Sequence, residues 1–118
     1  MRPSRLVLAG ALLALGPSAT AAVRGRPLSF ERDVAPVLER WCVGCHGPTE
    51  QRGGLRLDEF VWVMRGGDTA PAVAPGDPAG SLLVTKIERR SRPAMPPRRT
   101  LPAPLVARLR AWIAGAPP

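Results

Sequence analysis

Between residues 30 and 41 the apolar positions Val34, Val37, Leu38 and Trp41 recur at i, i+3, i+4 and i+7, the spacing of one face of a helix. Asp33 stands where a cap is expected, and Pro36 falls at the third helical position, where its missing N–H costs little. Near the other end, Leu105, Leu109, Trp112 and Ile113 make a second apolar face, preceded by Pro102 and Pro104 and closed by Gly115. Two terminal helices with matched faces in a short chain are expected to pack on each other. Two shorter helices are predicted between them. One runs from a cap at Asp58 to a stop at Gly66, with Leu57, Phe60, Val61 and Met64 on one face. The other has Asp77 as cap and Pro78 at its first position, with Leu82, Leu83 and Ile87 inward. No alternating strand pattern competes, and the expected class is all-α.

The first residues follow another rule. Arg2 and Arg5 precede the apolar run "LVLAGALLALG" at 6–16, and Ala19-Thr20-Ala21 fits a small-residue cleavage site. Eleven apolar residues span about 16 Å as a helix, roughly half a bilayer core, so no permanent membrane span is expected. The pattern predicts a signal peptide over 1–21, a linker over 22–29 and one domain over 30–118. The domain would be exported to a bacterial periplasm.

Composition makes that domain a thin one. Fifteen prolines and twelve glycines in 118 residues leave much of the chain to turns and loops. So short a chain needs a staple: disulfides, a metal or a large buried cofactor. Its two cysteines, three positions apart, would close too small a loop to constrain the unfolded chain much. The net charge is +8. The arginines are scattered, aromatics are few and the chain carries an export signal, which together argue against nucleic acid as a partner.

Both cysteines and the single histidine lie in "RWCVGCHGPTE", residues 40–50. Cys42, Cys45 and His46 form C-x-x-C-H. A thioredoxin-like site needs a βαβ context that the chain lacks. Structural zinc needs four ligands, and no Cys or His remains to complete the set. Covalent haem uses what is there: both thiols add to the haem vinyl groups and the adjacent imidazole becomes the proximal iron ligand. The motif therefore predicts one haem c, attached at Cys42 and Cys45 with iron on His46.

Together with that motif, "FERDVAPVLERWCVGCHG", "GGLRLD", "GGDTAPAVAPGDPAGSLLVTKI", "AMPP" and "LVARLRAWIAGA" resemble the planctomycete-type cytochrome c domain, which belongs with the class I cytochromes c. The likeness runs over about 28–117. It implies a small all-helical fold around one haem, with electron transfer as the activity.

The sixth iron position calls for a methionine thioether in a carrier. After signal removal Met64 and Met95 remain. Met64, at i+4 from Phe60, reads as core. Met95 lies between Pro93, Pro96 and Pro97, which exclude a helix and stiffen the loop towards polyproline II. The resemblance implies the same role for the methionine of "MPP", so Met95 is the expected distal ligand. Trp41 reads as packing rather than as an electron relay, and His46 Nδ1 is expected to donate to a backbone carbonyl.

The expected function is single-electron transfer by a His/Met-ligated monohaem cytochrome, not an enzyme, though a module serving a periplasmic oxidoreductase fits as well. The alternative is a haem-based ligand sensor or small peroxidase whose sixth ligand is displaceable. Redox partner proteins are expected. Arg89, Arg90, Arg92, Arg98 and Arg99 around Met95 suit an acidic docking face on such a partner.

Overall fold

The structure is a computed structural model and describes residues 25–115, together with 3–4 and 10–11. The expected cleavage site after Ala21 and nearly all of the segment before it lie outside the described residues. Every regular element described is helical, apart from one isolated bridge between His46 and Gln51. A π-helical turn, Phe30–Val34, runs into α1, Ala35–Trp41. A short 3-10 turn, Arg52–Gly54, precedes α2, Phe60–Arg65. The set is completed by α3, Leu82–Ile87, and α4, Ala103–Ala114. Among the described residues no helix is long and apolar enough to cross a membrane.

The first helical run starts earlier than its apolar spacing suggests. Ser29, not Asp33, is the cap: its Oγ accepts from the Arg32 N–H at 3.1 Å. Asp33 completes the bracket from inside, its Oδ2 accepting from the Ser29 N–H at 2.8 Å. In the common capping box that returning side chain sits three residues after the cap. Here it sits four after, because the first turn is wide, with the Ala35 N–H donating to the Phe30 carbonyl five residues back. A proline inside a run clashes with the carbonyl four residues before it and offers no N–H. A wide turn directly before Pro36 accommodates both defects. The backbone bond from Ser29 and the neighbouring Arg32 guanidinium hold the Asp33 carboxyl below its ordinary value of 3.8.

Two middle helices also begin later than the sequence suggests. Asp58 does not cap α2, because the Arg56 guanidinium takes both its oxygens, at 3.0 and 2.7 Å. The N-cap is Glu59, without a side-chain bond. On α2 the inward face is Phe60, Val63 and Met64, with Val63 fully buried and Val61 62 % exposed. That corrects the expected placing of Val61, which lies one step off the i, i+3, i+4 stripe. Asp77 caps a turn over Pro78–Gly80 instead of α3, its Oδ1 accepting from the Gly80 N–H at 3.0 Å. Fully buried Ser81 then accepts from the Ala74 N–H at 2.9 Å and donates to the Asp77 carbonyl at 2.8 Å. Those bonds fold the chain back before α3 starts. On α3, Leu83, Val84 and Ile87 are buried while Leu82 is only half-buried.

The terminal helices meet as expected, through the π turn rather than along α1. Phe30 lies 5.7 Å from Trp112 and 5.6 Å from Phe60, and Phe60 lies 6.3 Å from Trp112, ring centre to ring centre. Leu109, Trp112 and Ile113 are buried on α4. Gly115 ends that helix, its N–H donating to the Ala111 carbonyl at 3.2 Å.

Val63→Ala should lower stability by about 2–3 kcal/mol, from two lost methyl groups plus the space they leave. Val61→Ala should change it by less than about 0.5 kcal/mol. Urea titrations of the two variants check the facing of α2, and equal losses would contradict it.

Candidate functional site

Helix α1 ends at Trp41, and the next residues form a tight turn instead of a further helical turn. The Cys42 N–H donates to the Leu38 carbonyl at 2.8 Å, and the Cys45 and His46 N–H groups both return to the Cys42 carbonyl, at 3.2 and 3.0 Å. Gly47 closes the turn. A Cβ there would stand 2.5 Å from the Val43 carbonyl oxygen, so only glycine lets the backbone pass so near.

His46 is held at three points. Besides its N–H bond to Cys42, its carbonyl accepts from the Leu57 N–H at 2.8 Å, and its ring Nδ1 lies 2.9 Å from the Arg52 carbonyl. A carbonyl only accepts, so Nδ1 carries the proton and Nε2 keeps the lone pair. The Arg52 carbonyl is thus the orienting group that the sequence left unnamed. Arg52 is itself placed by its N–H, which donates to the Cys45 carbonyl at 3.0 Å. The 3-10 turn after it passes through Gly53 and Gly54, both at positive φ. At Gly54 a Cβ would collide with the Asp68 carboxylate.

Both cysteines are free thiols. Cys45 is exposed, whereas Cys42 packs against the core. Burial pushes the Cys42 thiol up to about 11 from 9.0, with the nearby Arg99 guanidinium opposing and Cys45 adding to the rise. Trp41 also packs on the core and carries the Arg99 guanidinium over its ring at 4.4 Å. Arg99 Nη2 donates to the Arg40 carbonyl at 3.3 Å. That side chain ties the end of the Met95 loop to the end of α1. Trp41 is therefore a packing residue, and its Nε1 is buried without an acceptor among the described residues.

Met95 lies in a series of bends with no helix, as its prolines require, although the Arg92–Pro93 and Met95–Pro96 bonds are cis and the course is not continuous polyproline II. Its N–H donates to the Lys86 carbonyl at 3.1 Å. The side chain is half-buried and stands outside the core cluster, while Met64 packs into that cluster. A polar cavity of about 310 Å³ lies elsewhere, lined in part by Gln51, Arg56, Trp62, Arg65 and Asp68, and contains none of the sulfur or imidazole groups. Arg56 and Arg65 both lie over the Trp62 ring there, at 4.7 and 5.4 Å.

A family model described as planctomycete cytochrome C matches residues 42–99. The chain carries a planctomycete-type cytochrome c domain. The match begins at the first cysteine of the motif and ends past the Met95 loop, so it takes in Cys42, Cys45, His46 and Met95. No curated protein and no solved structure matches the chain. A cytochrome c domain implies haem c and an electron-transfer role, with redox partners. The donor set suits that group: two reduced thiols on one tight turn and, next to them, an imidazole with Nε2 free.

Gly47→Ala should force the turn apart against the Val43 carbonyl and cost about 1–3 kcal/mol, as overpacking commonly does. The melting temperature of the haem-loaded variant measures this. An unchanged value would mean that the turn is slack.

Proposed function

We propose that this is an exported monohaem electron carrier: a domain over residues 30–118, after a 22–29 linker and a cleaved 1–21 signal peptide. Cys42 and Cys45 hold one haem c by thioethers, His46 is the proximal iron ligand and Met95 the distal one. When bound, the haem supplies the one-electron change between ferrous and ferric iron. The chain catalyses no reaction of a substrate itself. The residues hold and orient the ligands.

One observation carries this reading. With Nδ1 committed to the Arg52 carbonyl, His46 has a single nitrogen left for a metal, and its ring is fixed before any metal arrives. Met95 is supported by exclusion from the core, since the other methionine of the domain is used in packing. Cys42 packs against the hydrophobic core, so a macrocycle attached there would add its apolar surface to that core.

Produced in a host with haem-attachment machinery, Met95→Ala should keep covalent haem but lose the weak red-edge band of thioether-ligated ferric haem. Its potential should fall, and exogenous ligands should bind faster. Met64→Ala should leave the spectrum intact and cost about 2–4 kcal/mol of stability. Exchanged phenotypes would overturn the axial assignment. Rapid carbon monoxide binding by the unaltered protein would favour the sensor or peroxidase reading, and haem-stained protein from the Cys42→Ala/Cys45→Ala double variant would defeat thioether attachment.

The redox partner is proposed to offer an acidic face. Of the five arginines around Met95, Arg89, Arg90 and Arg99 have contacts within the chain, whereas Arg92 and Arg98 make no hydrogen bond or ion pair through their side chains among the described residues. Oxidation of the reduced protein by anionic ferricyanide should slow between 0.01 and 0.1 M salt, as the Debye length falls from about 30 to about 10 Å. Charge reversal at Arg92 and Arg98 should flatten that slope without altering the haem spectrum. A rate indifferent to salt would leave the loop as ordinary solvated surface.

A further inference from the structure

We propose that Arg89 is the positioning residue that keeps Met95 on the iron. The proposal rests on Met95 being the distal ligand. Among the described residues Arg89 is the one non-glycine with positive φ, at 62°. It sits just past the end of α3, where the Arg89 N–H donates to the Lys86 carbonyl at 3.1 Å and the Arg90 N–H to the Thr85 carbonyl at 2.9 Å. This pair of bonds is the helix-closing arrangement whose left-handed residue is most often glycine, because a Cβ is disfavoured there. An arginine in that place needs a reason in its side chain.

That reason lies in the Met95 loop. Arg89 Nη1 donates to the Pro96 carbonyl at 3.2 Å and to the Arg99 carbonyl at 3.3 Å. The first acceptor is the residue next to Met95, and the second is the arginine that ties the loop to Trp41 and the Arg40 carbonyl. On the near side of Met95, Lys86 Nζ donates to the Arg92 carbonyl at 2.7 Å and the Lys86 carbonyl accepts from the Met95 N–H. The loop is thus gripped on both sides of the thioether from one helix end. The left-handed backbone of Arg89 aims its side chain at the far grip. Without that grip, the segment after Met95 keeps only its own bends and the Arg99 contact.

The test compares haem-loaded protein carrying Arg89→Gly or Arg89→Asn with the unaltered chain. Both residues accept the left-handed backbone and neither reaches the two carbonyls. The readout is the rate at which imidazole displaces the sixth ligand of the ferric protein, alongside the thioether band and the melting temperature. Two lost hydrogen bonds should speed displacement roughly tenfold in both variants, with melting unchanged or higher for Arg89→Gly. If Arg89 only ends a helix, Arg89→Gly will melt no lower and bind imidazole at the unaltered rate. That result, or a fall in melting temperature with no change in rate, overturns the proposal. Met95→Ala separates the two claims. When it abolishes the band, Arg89→Gly added to it should change the imidazole rate no further. When it leaves the band in place, the axial assignment fails and the role of Arg89 falls with it.

Discussion

Phe30, Phe60 and Trp112 meet ring to ring at 5.6–6.3 Å, and in this contact three stretches of chain become one core. Each ring comes from a different element: the π turn, α2 and α4. Offset and edge-on aromatic pairs add directional preference to the apolar area they bury. The triad therefore fixes how the segments lie as well as that they associate. The turn that bears the sulfur and imidazole groups leaves α1 directly, and α1 is the continuation of the turn that carries Phe30. The triad is accordingly the anchor for His46, although no aromatic ring of the triad belongs to the motif.

From that anchor outward the chain is held less by helix packing than by single hydrogen bonds. Between Trp41 and Phe60 the regular structure is one short turn and the isolated His46–Gln51 bridge. The path is fixed by Leu57 on His46, Arg52 on Cys45, Gly47 on Glu50 and the Arg56–Asp58 pair. These bonds converge on His46 and on the loop that supplies its orienting carbonyl. Each bond constrains a dihedral that a longer loop would leave free, and the iron ligation proposed for His46, in one geometry through two oxidation states, would be served by such a cage.

How much of this was legible in the sequence depended on whether a residue had one partner to choose or several. The bounds of α4 were readable because prolines and a glycine act through their own backbones, and C-x-x-C-H because three unusual side chains stood together. The aspartates misled. Asp33, Asp58 and Asp77 each precede an apolar run, and capping is what an aspartate there commonly does. In the fold, Asp33 braces a cap made by Ser29, Asp58 is captured by Arg56, and Asp77 closes a turn one step upstream. The competing partner lay nearby each time, but nothing in a residue's identity ranks an N–H against a guanidinium. Val61 was misplaced for a different reason: five apolar residues in a six-residue helix cannot all face inward. The identity of the carbonyl on His46 Nδ1 was beyond reach, because any carbonyl is chemically the same and only the fold selects one.

The basic character of the Met95 loop has a structural source besides any partner. Pro93, Pro96 and Pro97 bring no N–H groups, so the loop cannot pair its carbonyls through a helical ladder. Carbonyls left buried without donors are costly, and exposed ones leave the backbone free to move. Lysine and arginine are the side chains that carry several donors and no acceptor. Lys86 supplies one to Arg92, and Arg89 supplies two, to Pro96 and Arg99. A proline-rich loop that must stand still is thus driven to borrow donors from cationic side chains. Positive charge accumulates there before any question of docking arises. The same charge is then available at the surface beside the thioether, where Arg92 and Arg98 add to it. Loop rigidity and the part of the positive field carried by Lys86 and Arg89 have one origin, the lack of backbone donors around Met95.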